Sequence, residues 1–209
     1  MGESKEMTAP TRRIGSEDSE TRTALLDAAE QLILDEGYAA ATSRRVAARA
    51  GLKPQLVHYY FRTMDDLFLA LVRRGAERNL ERQARALASP NPLRALWEVS
   101  CDPSGSAMTM ELSALSNHRK AIQAELSSYA DRFRALQSDA LAGLLSRDGV
   151  GAPDLPPDVL AFLITSVSQI LMMEEKLGMR RGHDEIRALV ERYLDRFEGS
   201  TSAEPGGSP

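Results

Sequence analysis

The sequence is poor in the residues and segments that mark several large classes of protein. Its 209 residues include one cysteine, Cys101, which excludes a disulfide within the chain and leads us to expect a reducing, cytoplasmic environment. The N-terminal stretch MGESKEMTAPTRRIG has no apolar run, so we expect no signal peptide. Uninterrupted apolar runs of about 18 residues are missing as well, so we expect no membrane span.

The features of an enzyme are equally scarce. The histidines His58, His118 and His183 are far apart in the sequence and lack the spacing of a metal site. The phosphate-binding pattern GxxxxGK, the zinc-binding pattern HExxH and the nucleophile pattern GxSxG are all missing. We therefore expect no catalytic residues, no metal and no cofactor, and we interpret the chain as a protein that is not an enzyme.

Strand-like alternation of apolar and polar residues is almost absent, whereas Ala, Leu, Arg and Glu are abundant. This composition predicts an all-α protein, which glycine and proline breakers divide into about nine helices. We expect four segments along the chain. They are a disordered tail at 1–18, a small helical domain at 19–78, a larger helical domain at 79–198, and a second disordered tail at 199–209.

Acidic residues are absent from one long window of an otherwise acidic chain. The net charge is −4 and Asp plus Glu number 30, yet residues 37–64 contain neither. The same window carries five basic residues: Arg44, Arg45, Arg49, Lys53 and Arg62. A solvated basic loop is one interpretation. The other is a nucleic-acid contact, since phosphates would repel acids placed there.

Within this window, residues 42–61 have the pattern of a helix-turn-helix. Thr42 can cap a short first helix, Gly51 suits the turn, and Pro54 suits the first position of a second helix. Ala47 offers the small side chain that a close crossing of two short helices requires. The pair lacks the long apolar stripes of a hairpin inside a bundle, so the sequence favours DNA binding.

The polar side chains of this motif suggest separate roles on DNA. Arg44 and Arg45, together with the cap residue Thr42, are candidates for phosphate contacts. Gln55 is the candidate base reader, because its amide matches the major-groove edge of adenine, and Leu56 can pack on a thymine methyl. Three further residues are expected near phosphate or sugar: Lys53, His58 and Tyr59.

The stretch TSRRVAARAGLKPQLVHYYFRTMDDLFLALV, preceded by ALLDAAEQLILDEGY, resembles the N-terminal domain of TetR-family transcriptional regulators. The shared features are Gly37, Thr42, Ala50-Gly51-Leu52, Tyr60-Phe61 and Asp66-Leu67. Three residues depart from the usual pattern: Met64 replaces a phosphate-contacting lysine, Lys53 a small polar cap, and His58 a tyrosine. The resemblance implies a three-helix, helix-turn-helix DNA-binding domain at 19–78 and an effector-binding and dimerisation domain at 79–198.

The same resemblance implies a homodimeric repressor that a small molecule releases from an approximately palindromic DNA operator. In such proteins the last two helices of each subunit pair with their copies. This assigns six residues to the dimer interface: Phe162, Val167, Ile170, Leu189, Tyr193 and Phe197. The middle helices would enclose the effector, and their large side chains are candidates to line its pocket: Trp97, Met108, Met110, Leu112, Leu115, Tyr129 and Phe133.

These seven candidate pocket residues are equally compatible with ordinary core packing, and their character favours a largely apolar effector. Two other functions therefore stay open at this point. One is a constitutive DNA-binding protein whose bundle has a filled core and senses nothing. The other, less favoured, is an all-α enzyme that shares the N-terminal shape.

Overall fold

A computed structural model describes residues 19–147 and 155–198. The two expected tails, 1–18 and 199–209, lie outside this part of the chain, as does the side chain of Phe197. All regular structure in the two described ranges is helical, which confirms the all-α prediction. The helices are α1 (Glu20–Glu36), α2 (Ser43–Arg49), α3 (Pro54–Tyr60), α4 (Met64–Leu87), α5 (Pro92–Ser100), α6 (Pro103–Ser116), α7 (Lys120–Arg147), α8 (Pro157–Lys176) and α9 (His183–Glu198), with a 3-10 helix at Tyr38–Ala40.

The helices begin and end close to the breakers in the sequence, because these residues act locally. Gly37 ends α1 with a φ of 84°, a conformation that side chains with a Cβ rarely adopt. Thr42 caps α2, since its Oγ1 accepts a hydrogen bond from the backbone N–H of Arg45 at 3.4 Å. Proline occupies the first turn of α3, α5, α6 and α8, where its missing N–H costs no helical hydrogen bond.

The described residues form two compact units, the first ending at Leu71 and the second beginning at Val72. This division lies inside α4, the helix that also contains the expected boundary after residue 78. Helices as short as α2 and α3 are marginal alone, so the buried apolar core of the first unit stabilises them. That core consists of Leu25, Leu26, Ala28, Ala29, Leu32, Ile33, Ala41, Val46, Ala47, Val57, Phe61, Leu67, Phe68 and Leu71.

The second unit has its own apolar core, which joins α5, α7, α8 and α9. Its buried members are Leu93, Trp97, Leu141, Ala161, Leu171, Met172 and Leu194. Polar contacts add to the packing of α5 on α9. Glu198 Oε1 accepts hydrogen bonds from the backbone N–H groups of Leu93 and Arg94, at 2.8 and 3.1 Å. The last residue of α9 therefore supplies the cap of α5 that the side chain of Asn91 does not provide.

Candidate nucleic-acid interface

The crossing of α2 and α3 has the geometry of a helix-turn-helix. Ala47, expected to offer the small side chain at this crossing, is fully buried. Gly51 has a φ of 68°, so the chain leaves α2 through a left-handed residue where a Cβ would be strained. The backbone N–H of Leu52 donates to the carbonyl of Ala47 at 2.9 Å and closes the turn. Pro54 then begins α3.

One side of α3 is packed and the other is open to solvent. Val57 is buried in the core of the first unit, and Leu56 is half-buried. The open side carries four of the residues predicted to contact DNA: Lys53, Gln55, His58 and Tyr59. These side chains therefore share a surface that a DNA groove can approach.

The aromatic residues at the end of α3 anchor this helix. Phe61 is buried, and the guanidinium carbon of Arg22 lies 5.2 Å from its ring centroid. The Tyr60 hydroxyl lies 2.8 Å from Ser19 Oγ, and its ring packs edge-on against Tyr59 with centroids 5.0 Å apart. These contacts fix α3 against α1, so the open side of α3 is held in a defined orientation.

The three arginines of α2 differ in their partners. Arg44 is exposed and forms no ion pair within residues 19–147 and 155–198. Arg45 Nη2 donates to both carboxylate oxygens of Glu36, at 2.5 and 2.6 Å, and this hydrogen bonding raises the pKa of Arg45. Arg49 pairs with Asp35. Two positive charges of the acid-free window thus lie against carboxylates at the end of α1.

The acid of the Asp66-Leu67 pair has a structural role at the start of α4. Asp66 Oδ2 accepts from the backbone N–H of Thr63 at 3.0 Å, and the backbone N–H of Asp66 donates to Thr63 Oγ1 at 3.1 Å. This reciprocal arrangement is a capping box, which satisfies two N–H groups at the helix start. It fixes the point where the chain leaves α3 and enters α4.

The candidate pocket residues divide between the core and half-buried positions. Trp97 belongs to the core of the second unit, and Leu112 and Leu115 are also buried. The half-buried members are Met108, Met110, Tyr129 and Phe133. The rings of Tyr129 and Phe133 lie 6.0 Å apart, and Asn79 Nδ2 donates to the Tyr129 hydroxyl at 2.5 Å. Burial raises the pKa of Tyr129, so its hydroxyl is neutral at physiological pH.

A buried polar chain lies beside these residues and was missed by the sequence interpretation. Gln83 on α4 and Gln137 on α7 are 2% and 1% exposed. Gln137 Nε2 donates to Gln83 Oε1 at 3.0 Å, and Thr165 Oγ1 on α8 donates to Gln137 Oε1 at 3.3 Å. The available signal was the position of Gln137, one helical turn from both Phe133 and Leu141 on the apolar stripe of α7.

The outer sides of α8 and α9 carry an exposed apolar surface. Four of the six predicted interface residues lie on it: Phe162, Ile170, Leu189 and Tyr193. Val167 is instead half-buried and packs against the core of its own subunit. Three further exposed apolar residues lie on the same two helices: Val159, Leu163 and Ile186. Apolar patches of this kind commonly mark interaction surfaces.

Comparison with known proteins identifies relatives of the chain. A family model described as bacterial regulatory proteins, tetR family, matches residues 25–71. The HTH-type transcriptional repressor BepR of Brucella suis biovar 1 (strain 1330) is 29% identical over 137 residues, which cover 63% of this chain and 66% of BepR. The HTH-type transcriptional regulator BetI of Rhizobium meliloti (strain 1021) is 42% identical over 52 residues, which cover 25% of this chain and 26% of BetI.

These matches span less than two thirds of either curated relative, and both relatives are transcriptional regulators. Among solved structures, a putative transcriptional regulator from Saccharomonospora viridis in complex with choline has a TM-score of 0.72 at 21% identity. That comparison covers 85% of this chain and 97% of the other. The likeness at this level of identity is one of fold, and it confirms the predicted fold class.

Proposed function

We propose that the chain, whose residues 25–71 match the family model described as bacterial regulatory proteins, tetR family, is a sequence-specific DNA-binding transcriptional regulator. In the form that the sequence favours, it is a cytoplasmic repressor that a small molecule releases from its operator. The observation that carries the proposal is the open side of α3. It presents Lys53 and Gln55, and α2 presents the exposed Arg44, all within a window of the chain that contains no acid.

On DNA, α3 would lie in the major groove, where a helix meets base edges along about one or two turns. Gln55 would donate to and accept from an adenine edge, and Leu56 would pack on a thymine methyl. Phosphate contacts from Arg44 and the Thr42 cap would fix the register of the helix without reading sequence. Lys53, His58 and Tyr59 would add backbone contacts on the same open side.

A second copy of the chain would cover the apolar surface of α8 and α9. By length and composition alone, α8 is long and apolar enough to cross a membrane. Its apolar window of 18 residues has a mean hydropathy of 1.3 and is 22% buried. A helix that packs on its own core and on a partner has the same composition. In a two-fold dimer each subunit would present one α3, so the operator would be an approximate palindrome.

The second unit would hold the effector between its helices. Its half-buried Tyr129 and Phe133 offer aromatic faces, while Gln83 and Gln137 offer buried hydrogen-bonding groups beside them. An apolar molecule with a small number of polar atoms fits this combination. The complex of the Saccharomonospora viridis protein also makes choline a reasonable compound to test, since aromatic faces bind quaternary ammonium groups.

One observation favours the constitutive DNA-binding protein as a second candidate. Trp97, Leu112 and Leu115, which were candidates for the pocket wall, are buried within the protein itself. A bundle with its core filled in this way can dimerise and bind DNA without sensing a ligand. The two candidates share the DNA interface and differ only in whether a bound compound changes DNA affinity.

The shared claim of DNA binding is tested by salt dependence. Fluorescence anisotropy with a labelled duplex of about 30 base pairs, from about 50 to 200 mM salt, gives the slope of log affinity against log salt. We expect a steep negative slope for the wild type, and a slope less steep by about 0.9 for Arg44→Ala because one phosphate contact is lost. Arg85→Ala, which removes an equal charge from an exposed position on α4, is the matched control and should leave the slope unchanged. Equal slopes in all three proteins would remove Arg44 from the interface.

A further inference from the structure

The two flanks of α2 have different surroundings. Arg45 and Arg49 are four residues apart, so they lie one above the other on one flank of the helix. Both face the last two residues of α1, where Glu36 binds Arg45 and Asp35 binds Arg49. Arg44 lies on another flank, where the next residue along the helix face is the exposed Ala48. Because Ala48 carries no charge, Arg44 is the only charged side chain on that flank of α2.

The pair between Arg45 and Glu36 joins one guanidinium nitrogen to both carboxylate oxygens, at 2.5 and 2.6 Å. The residues are nine positions apart in the sequence, and the turn that joins them contains Gly37 at a φ of 84°. Glu36 directly precedes the acid-free window. The packing of α1 against α2 therefore places a negative charge beside the arginines of α2, although residues 37–64 contain no acid.

We infer that Arg45 is a positioning residue whose charge is neutralised by Glu36, and that Arg44 is the arginine of α2 that contacts phosphate. This inference rests on the proposed DNA-binding function. It revises the expectation that both Arg44 and Arg45 contact phosphate. The ion pair orients the first turn of α2 against the end of α1, and it also keeps the Glu36 carboxylate from repelling an approaching phosphate.

The charges predict how each substitution changes DNA binding. Arg45→Ala leaves the Glu36 carboxylate uncompensated beside the interface, so affinity should fall although no phosphate contact is lost. Glu36→Gln frees the Arg45 guanidinium for a phosphate, so affinity should rise and the salt slope should steepen. The double variant removes both charges, so its affinity should return close to that of the wild type. A direct phosphate contact by Arg45 predicts the opposite for the double variant, which would stay as weak as Arg45→Ala.

The experiment compares the wild type, Arg45→Ala, Glu36→Gln and the double variant on a random-sequence duplex, by anisotropy across the salt range. We expect Glu36→Gln to steepen the slope by about 0.9, the value for one additional phosphate contact. Glu20→Gln makes the same charge change at the other end of α1 and is the matched control, expected to leave the slope unchanged. Circular dichroism establishes that each variant keeps its helical content.

Two results would overturn the inference while leaving the proposed function intact. One is a double variant that binds as weakly as Arg45→Ala. The other is a Glu36→Gln slope equal to that of the wild type. If the wild type itself shows no salt-dependent binding to the duplex, the DNA-binding function fails, and the inference fails with it. The wild-type salt titration therefore separates the two failures.

Discussion

Gln83 on α4 and Gln137 on α7 share a hydrogen bond of 3.0 Å while both side chains are almost completely removed from solvent. Thr165 extends the chain from α8 by donating to Gln137 at 3.3 Å. Because both carboxamides are buried, the loss of one partner would leave a buried polar atom without its hydrogen bond. The arrangement is therefore sensitive to the loss of any one member.

The glutamine pair predicts a characteristic pattern of stability. Gln137→Leu should destabilise the protein by about 1–3 kcal/mol, because the buried Gln83 oxygen and the Thr165 hydroxyl lose their partner. Replacing both glutamines with leucine should cost less than the sum of the single changes, since no buried carboxamide is then left unpaired. Urea unfolding at fixed protein concentration measures this. Gln123→Leu, at an exposed position of α7, should change stability by no more than about 0.5 kcal/mol. Strict additivity of the two single changes would contradict the account.

Much of the fold follows from the sequence because its signals are local. Gly37, Gly51 and Pro54 act on their own backbone, so the order and approximate bounds of the helices could be predicted without knowing how they pack. The open side of α3 could be predicted for the same reason. Once Val57 is taken as buried, helical periodicity alone indicates which side chains of this short helix face solvent.

The contacts that sequence reasoning missed are those that depend on how the helices pack against one another. Gln83 and Gln137 are 54 residues apart, and their pairing depends on how α4 and α7 pack side by side. Arg45 and Glu36 are close in sequence, yet their ion pair depends on the angle between α1 and α2. Val167, which the resemblance assigns to the dimer interface, is half-buried against the core of its own subunit, and that packing could not be derived from the sequence.

Dimerisation through α8 and α9 predicts that a charge on their outer surface disrupts assembly. Leu189 and Tyr193 are 45% and 51% exposed in the single chain. Leu189→Asp or Tyr193→Asp would bury an unpaired charge against the second copy, so we expect monomers or insoluble protein in sedimentation velocity. Ala124→Asp adds the same charge at an exposed position of α7 and should leave the dimer intact. An intact dimer in both α9 variants would place the interface elsewhere.

Effector sensing predicts that a bound compound lowers DNA affinity. Helix α4 carries Leu67 and Phe68 of the first core as well as Gln83 of the buried polar chain. A compound that binds one arrangement of the DNA-reading helices more tightly than the other shifts the population between them. We expect operator affinity to fall by about 5- to 150-fold at saturation. The compounds to use are those that raise the melting temperature in a screen that includes choline and apolar molecules. Unchanged affinity under saturation would favour the constitutive DNA-binding protein.

The single cysteine predicts slow thiol chemistry. Burial raises the pKa of the Cys101 thiol from 9.0 to about 11, because the charged thiolate is less well solvated there. At pH 8 the folded protein should therefore react with a thiolate-selective reagent about 100-fold more slowly than the protein unfolded in urea. Because the pKa is raised, the stability that the protonated thiol contributes is present below pH 9.0 and is lost as the pH rises through about 11. Equal reaction rates in the folded and unfolded states would contradict this assignment.

The central claim is that α3 reads DNA sequence as part of a two-fold dimer. Its most direct test is selection of bound duplexes from a pool with a randomised central segment, carried out with the wild type and with Gln55→Ala. We expect the wild type to enrich an approximate palindrome. Gln55→Ala should lose discrimination at one base position in each half-site, by about 1–3 kcal/mol, while keeping the same half-site spacing. A bound wild-type pool that stays random would contradict sequence-specific recognition, and an identical base preference in both proteins would remove Gln55 as the base reader.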